Sequence, residues 1–106
     1  MADCVFCSIA AGETDAHIVF SDDEAIAFLD NRPLFPGHTL LIPREHHEAI
    51  WDVPEALAGR LFVKARMLSV AIRDAMAAEG TFVAANSIVS QSVPHFHLHI
   101  VPRRRK

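Results

Sequence analysis

Three histidines, His95, His97 and His99, alternate with Phe96 and Leu98 near the end of the chain, and Ile100-Val101 continues the apolar run. In an extended strand successive side chains point to opposite faces. The three imidazoles would therefore share one face, and Phe96, Leu98 and Ile100 the other. A helix would scatter the rings around its circumference. Pro94 and Pro102 flank the run and suit the two ends of a short strand. Such a row of rings has three chemical uses: a three-histidine metal centre, a pH sensor, or a catalytic array. A neutral imidazole nitrogen is a competent nucleophile toward phosphorus, and a pKa of about 6.5 leaves it largely unprotonated at neutral pH. Neighbouring histidines can donate to phosphate oxygens as charge shifts in the transition state. Just upstream, Gln91-Ser92-Val93-Pro94 sets an amide and a hydroxyl beside the histidine face. Both groups suit holding phosphate oxygens and passing a proton to a leaving group.

The other reactive pair is Cys4 and Cys7, the only cysteines in the chain. No basic n-region followed by a hydrophobic stretch marks a signal peptide, so the pair reads as thiols or metal ligands in a reducing compartment. Cysteines at this spacing, with histidines elsewhere, supply the donors of a tetrahedral Cys2His2 zinc site. A redox role is disfavoured because no strand precedes the pair.

These groups must be positioned by a small scaffold. At 106 residues, 51% of them hydrophobic, the chain has the composition of one globular domain, residues 1–106. A net charge of −3 gives no reason to expect nucleic-acid binding. No apolar run approaches the roughly 20 residues of a membrane span, and the expected location is cytoplasmic. Arg103-Arg104-Arg105-Lys106 is the one basic cluster, read as a solvated terminus or as a phosphate-attracting mouth.

Val5, Phe6 and Ile9 fall on neighbouring helical positions before Gly12, which predicts a short helix over about 4–11. Segments 17–20 and 25–29, separated by Ser21-Asp22-Asp23-Glu24, read as a hairpin, and 38–42 as a buried strand after a proline-rich loop. Asp52 and Glu55 match a capping box. Leu57, Leu61, Ala65, Leu68, Ile72 and Ala75 then follow at helical spacing, ending before Gly80. Phe62, Met67 and Val70 lie off that stripe and point to a subunit interface or to ordinary exposed apolar residues. A strand over 81–85 and the histidine strand complete an α+β fold: an antiparallel five-stranded sheet with one short N-terminal helix and one long central helix.

The run Gln91-Ser92-Val93-Pro94-His95-Phe96-His97-Leu98-His99-Ile100-Val101-Pro102-Arg103 closely resembles the signature of the histidine triad (HIT) family. Cys4-Val5-Phe6-Cys7 with Ile9, Ala27-Phe28-Leu29-Asp30, and the stretch from Pro36 to His46 resemble the same family in the right order. The resemblance implies a nucleotide hydrolase or transferase acting at an α-phosphate. Purine nucleoside phosphoramidates are the first expectation; the alternatives are dinucleoside polyphosphates or a non-catalytic zinc- or nucleotide-binding module. It implies that His97 attacks phosphorus to form a nucleotidyl-histidine later resolved by water, and that a backbone carbonyl near the triad fixes its tautomer. His99 and Gln91 would bind phosphate oxygens, and Ser92 would hydrogen-bond the phosphate or leaving group. Asp30 matches the position that accepts both ribose hydroxyls. Val5, Phe6, Ile9, Phe28 and Asn31 fall where the family builds its base pocket, and Asn86 where a residue reaches phosphate or ribose. In zinc-bearing members the ligands of a structural zinc correspond to Cys4, Cys7, His46 and His95. The resemblance also implies a homodimer, paired through the long helix and sheet edges. By their places in the chain, His38 reads as a structural hydrogen-bonder and His17 as a surface residue. The sequence departs from many relatives at Asn86-Ser87-Ile88-Val89-Ser90, which lacks the usual glycines. It stops at Lys106, without the longer tail that shapes the leaving-group side of the pocket in many relatives, and the resemblance leaves substrate choice open there.

Overall fold

Two adjacent strands are buried almost end to end, and this requires cover on both faces of the sheet. They are β2 (Ala25–Leu29) and β3 (Thr39–Pro43). Around them lie α1 (Val5–Ala10), β1 (Ile18–Ser21), a 3-10 turn (Ile50–Asp52), α2 (Glu55–Ala75), β4 (Gly80–Ala84) and β5 (Leu98–Arg103). The computed structural model describes residues 4–105. All five strands form one antiparallel sheet in the order β1-β2-β3-β5-β4.

The period-two rule sorts the buried residues onto two faces. Ala25, Ala27, Leu41, Phe96, Leu98 and Ile100 pack under α2 with Leu57, Leu61, Ala65, Leu68 and Ile72. Ile26, Phe28, Leu40 and Ile42 face the other way, onto Phe6 and Ile9 of α1. The stripe read at helical spacing is thus the buried face of α2. A fully buried leucine such as Leu61 contributes about 1.5–3 kcal/mol by leaving water. Phe62, Met67 and Val70 stay exposed on the opposite side of the helix. Among the described residues no helix is long and apolar enough to cross a membrane.

Three local expectations change. Asp52 does not cap α2: its Oδ2 accepts the Ala49 amide at 3.0 Å and closes the 3-10 turn, and Pro54 occupies the cap position. The long helix ends at Ala75, the last residue of its apolar stripe and before Gly80 as expected, and Ala77 turns into the left-handed region at φ 51°. Arg104 donates to the carbonyls of Met76 and Ala77 at 2.7 and 2.6 Å, and Arg105 pairs with Glu79 at 3.0 Å. Arg104 is therefore engaged with the end of the helix, where a cation suits the helix dipole, and Arg105 with the turn into β4, so these two arginines are not a free basic cluster.

The third change concerns the histidine strand. β5 begins at Leu98, so only His99 of the three histidines lies within a ladder. Register pairs Thr39 with Ile100 and Leu41 with Leu98. Continued, it would set Phe96 against Pro43, which has no N–H to donate. The Phe96 amide instead donates to the His47 carbonyl at 2.6 Å, and the Pro43 carbonyl accepts the ring of His95 at 2.8 Å.

Candidate functional site

On the α1 side of the sheet lies a cavity of about 940 Å³. Its apolar wall is Val5, Phe6 and Ile9 of α1 with Phe28 and Leu40 of the sheet. Opposite stand Asp30, Asn31, Arg32, Ser92, His97 and His99. Phe6 meets Phe28 edge-on, with ring centroids 5.4 Å apart. An apolar wall facing a few converging polar groups is the general form of a small-molecule site.

His97 is buried, and its Nδ1 lies 2.7 Å from the His95 carbonyl. A carbonyl only accepts, so Nδ1 carries the proton and Nε2 keeps its lone pair. That is the tautomer a nucleophile needs.

A second chain of bonds orients His99. The Leu34 amide donates to Nδ1 of His38 at 3.1 Å, so the His38 proton sits on Nε2. That nitrogen lies 3.0 Å from Nδ1 of His99, and 3.6 Å from Oδ2 of Asp30. His99 accepts on Nδ1, which leaves its Nε2–H as a donor. Burial lowers the pKa of both His38 and His99, keeping them neutral at neutral pH. Asp30, His38 and His99 also stand close enough to surround an ion. However, metal binding at His38 Nε2 would displace the proton that the Leu34 amide places there, and the trio is better read as a hydrogen-bond relay. Asp30 Oδ1 accepts the Arg32 amide at 3.0 Å, which fixes the carboxylate at the pocket rim.

Beneath the triad, Cys4, Cys7, His46 and His95 bring their ligand atoms within 4.8 Å of one another. Nδ1 of His95 lies 3.3 Å from Sγ of Cys4 and 3.5 Å from Sγ of Cys7, and Nδ1 of His46 lies 3.3 Å from Sγ of Cys7. Zinc bonds of about 2.3 Å to sulfur and 2.0–2.1 Å to nitrogen, at tetrahedral angles, imply S···N separations of about 3.5 Å. The donor set therefore fits a tetrahedral ion. His95 donates from Nε2 to the Pro43 carbonyl, which turns its Nδ1 lone pair toward the thiols, the usual outer-shell arrangement of a metal-binding histidine. Burial pushes the His95 pKa down to about 4, and burial together with Cys4 raises that of the Cys7 thiol. His47, one residue on from His46, points instead toward Glu45, 3.4 Å away.

Not every expected residue reaches the cavity. Gln91 accepts the Ile88 amide at 3.0 Å and donates to the Glu48 carbonyl at 2.6 Å. Asn86 donates to the Ser90 carbonyl at 3.2 Å. Asn86 thus serves its own loop and Gln91 ties that loop to Glu48; the loop holds Ile88 at φ 70° and Ser90 at φ 61°, where glycine would be at ease. Conversely, Asp15, His17 and Arg32 also line the cavity, although no motif in the sequence marks them. His17 carries no signal: it stands just before β1, in a segment whose spacing looks like that of any exposed one.

Fold and site together define a histidine-triad protein. The family model for the HIT domain matches residues 11–106. The chain is 40% identical over 101 residues to an uncharacterized HIT-like protein of Saccharolobus solfataricus, covering 93% of this chain and 73% of that one. It is 32% identical to adenylylsulfatase HINT3 of Arabidopsis thaliana, covering 98% of this chain and 54% of the relative. The crystal structure of a Zn-bound histidine triad family protein from Mycobacterium smegmatis superimposes with a TM-score of 0.93 at 34% identity, over 98% of this chain and 77% of that one. The chain belongs to the HIT family, a hydrolase-like class of nucleotide-binding proteins.

Proposed function

We propose that this protein hydrolyses or transfers nucleotides by attack of His97 on an α-phosphorus, with a purine nucleoside phosphoramidate or related AMP-X compound as substrate. The observation that carries this reading is the 2.7 Å bond from His97 Nδ1 to the His95 carbonyl, which leaves Nε2 free to attack. The Nε2–phosphorus bond forms as the bond to the leaving group breaks. Ser92, at the pocket wall, passes a proton to the departing amine or oxygen. The His99 Nε2–H donates to a phosphate oxygen as negative charge develops there. Water then attacks the phosphorus and gives up a proton that restores Ser92, while the phosphorus–nitrogen bond breaks, releasing AMP and returning the lone pair to His97.

The purine base takes the apolar wall of Val5, Phe6, Ile9 and Phe28, with Asn31 at its edge. Asp30 accepts the two ribose hydroxyls. Gln91 and Asn86 contribute to phosphate only after leaving their loop partners. An adenylylsulfatase among the relatives supports AMP-X chemistry, since adenylyl sulfate is AMP joined to a leaving group. Zinc on Cys4, Cys7, His46 and His95 is structural in this scheme: it ties α1 to the triad segment, and no step of the reaction passes through it. A Zn-bound relative supports this assignment.

The working unit is a homodimer in the cytoplasm. β4 is a sheet edge with Phe82 and Val83 exposed, beside the exposed Phe62, Met67 and Val70 of α2. An apolar edge strand of this kind needs a partner.

The test is to incubate the protein with a labelled adenosine phosphoramidate and trap labelled AMP on the chain. The adduct is expected in the parent protein and absent in His97→Ala. Turnover of dinucleoside polyphosphates alone would select the first alternative. AMP binding with no adduct and no turnover would leave only a binding module.

A further inference from the structure

The metal-ligand cluster and the nucleophile share one residue. The ring of His95 faces the thiols of Cys4 and Cys7, while its backbone carbonyl holds the proton on His97. A second link runs through Phe6, which lies between the two cysteines in sequence. Its buried ring stands edge-on to His95, with centroids 5.9 Å apart and planes at 72°, and to His97, at 5.0 Å and 86°.

Phe6 is carried by α1, a helix of six residues. Isolated helices below about 12–15 residues are marginal in water, so the position of α1 depends on its anchors. At its C-terminal end Arg44 donates to the Ala10 carbonyl at 2.7 Å, a charge-assisted bond. At its N-terminal end the protein's own anchor is a set of thiol–imidazole contacts of 3.3–3.5 Å. Sulfur is a weak hydrogen-bonding partner, and a tetrahedral ion would replace these contacts with four coordinate bonds.

We infer that Cys4, Cys7 and His46 are positioning residues for His97: an ion held by them and His95 locks the nucleophile's ring into one tautomer and one orientation through the His95 carbonyl and the Phe6 ring. This rests on the phosphorus-attack reading above and deepens it. Metal occupancy then governs the rate of nucleotidyl transfer more than the affinity for nucleotide. Phe28, Leu40, Asp30 and Asn31 belong to the sheet and its following loop, so those walls of the pocket do not depend on α1. A misplacement of about 1 Å can lower a rate about 100-fold. Removing zinc is therefore expected to slow transfer to His97 at least about tenfold, and to weaken AMP binding by a clearly smaller factor.

The experiment compares the full chain loaded with one equivalent of zinc and the same chain after chelation. Nitrogen-15 NMR of the histidine rings reads the His97 tautomer with no substrate present. Single-turnover transfer from an adenosine phosphoramidate reads the rate, and titration with AMP reads affinity. A single Nδ1–H tautomer in the loaded protein and a mixture in the stripped protein, with the rate falling further than the affinity, is the expected result. Identical tautomers and rates in both forms, or equal losses of rate and affinity, would overturn the inference. Phe6→Leu in the zinc-loaded protein keeps the ligand set and removes only the ring. It should retain zinc yet transfer more slowly, and an unchanged rate would count against the link. If neither form made an adduct, the proposed function would fail, and the tautomer comparison would decide this inference alone.

Discussion

Nε2 of His38 donates to Nδ1 of His99 across 3.0 Å, and the Leu34 amide on the far side of the His38 ring determines which nitrogen carries the proton. One backbone N–H in the proline-rich loop that leads into β3 thus sets the hydrogen-bonding direction of a triad histidine on the neighbouring strand. Nothing in the residue types near His99 announces this. It follows from the register Leu40↔His99, which brings His38, just before β3, alongside His99.

His38→Ala should therefore lower kcat about 10–100-fold, the usual effect of removing a partner that orients a working histidine, with KM changing much less. His38→Gln, which can still donate toward His99, should recover part of the loss. Steady-state kinetics on a phosphoramidate check this; a loss confined to KM would assign His38 to binding.

Asp30 tests the ribose reading. A carboxylate accepting two hydroxyls is worth about 1.5–3 kcal/mol per charged hydrogen bond. Asp30→Asn should therefore weaken AMP binding roughly tenfold or more while barely affecting 2′,3′-dideoxy-AMP. Calorimetric titration of both nucleotides reads the difference. Equal weakening of the two would place the ribose elsewhere.

Stability should fall with acid in two stages. Burial holds His38 and His99 below the ordinary histidine value, and His95, at about 4, acts in the same direction. Unfolding returns these rings to about 6.5, so the unfolded chain binds more protons below that pH. Their contribution is intact above about pH 6.5 and is lost as the pH drops through that value toward the folded-state values. Glu24, held low by Arg60 and Lys64, adds a further, smaller loss below its ordinary 4.5. Urea midpoints of metal-free protein between pH 8 and pH 4 would show the decline. A flat profile from pH 8 to pH 5 would contradict the neutral buried rings.

The exposed edge of β4 makes a claim about assembly. Val83→Lys places a charge where a second copy would pair, and should convert a dimer to monomer in sedimentation while leaving the far-ultraviolet circular dichroism unchanged. Phe62→Glu on the exposed face of α2 should act in the same direction. A parent protein that sediments as a monomer at all concentrations would remove the need for either surface to be covered.

Much of this protein is legible in one dimension because its signals are local. The period of two in Phe96, Leu98 and Ile100 and the helical spacing from Leu57 to Ile72 report which faces are buried, since burial follows side-chain direction. The spacing of Cys4 and Cys7 and the run around His97 carry the family resemblance, and with it the metal and pocket residues, most of which the fold brings together. Hydrogen-bond partners across strands are a different matter, because register and loop closure choose them. The Pro43 carbonyl on His95, the Leu34 amide on His38, the capture of Gln91 by Glu48, and the late start of β5, past the residue that faces a proline, are all of this kind. Each depends on where two distant segments meet, and no residue's own preference encodes that meeting. Composition and spacing thus determined which groups could do chemistry, and the tertiary structure decided which partner each ring nitrogen meets, because loops and strands distant in sequence supply most of those partners.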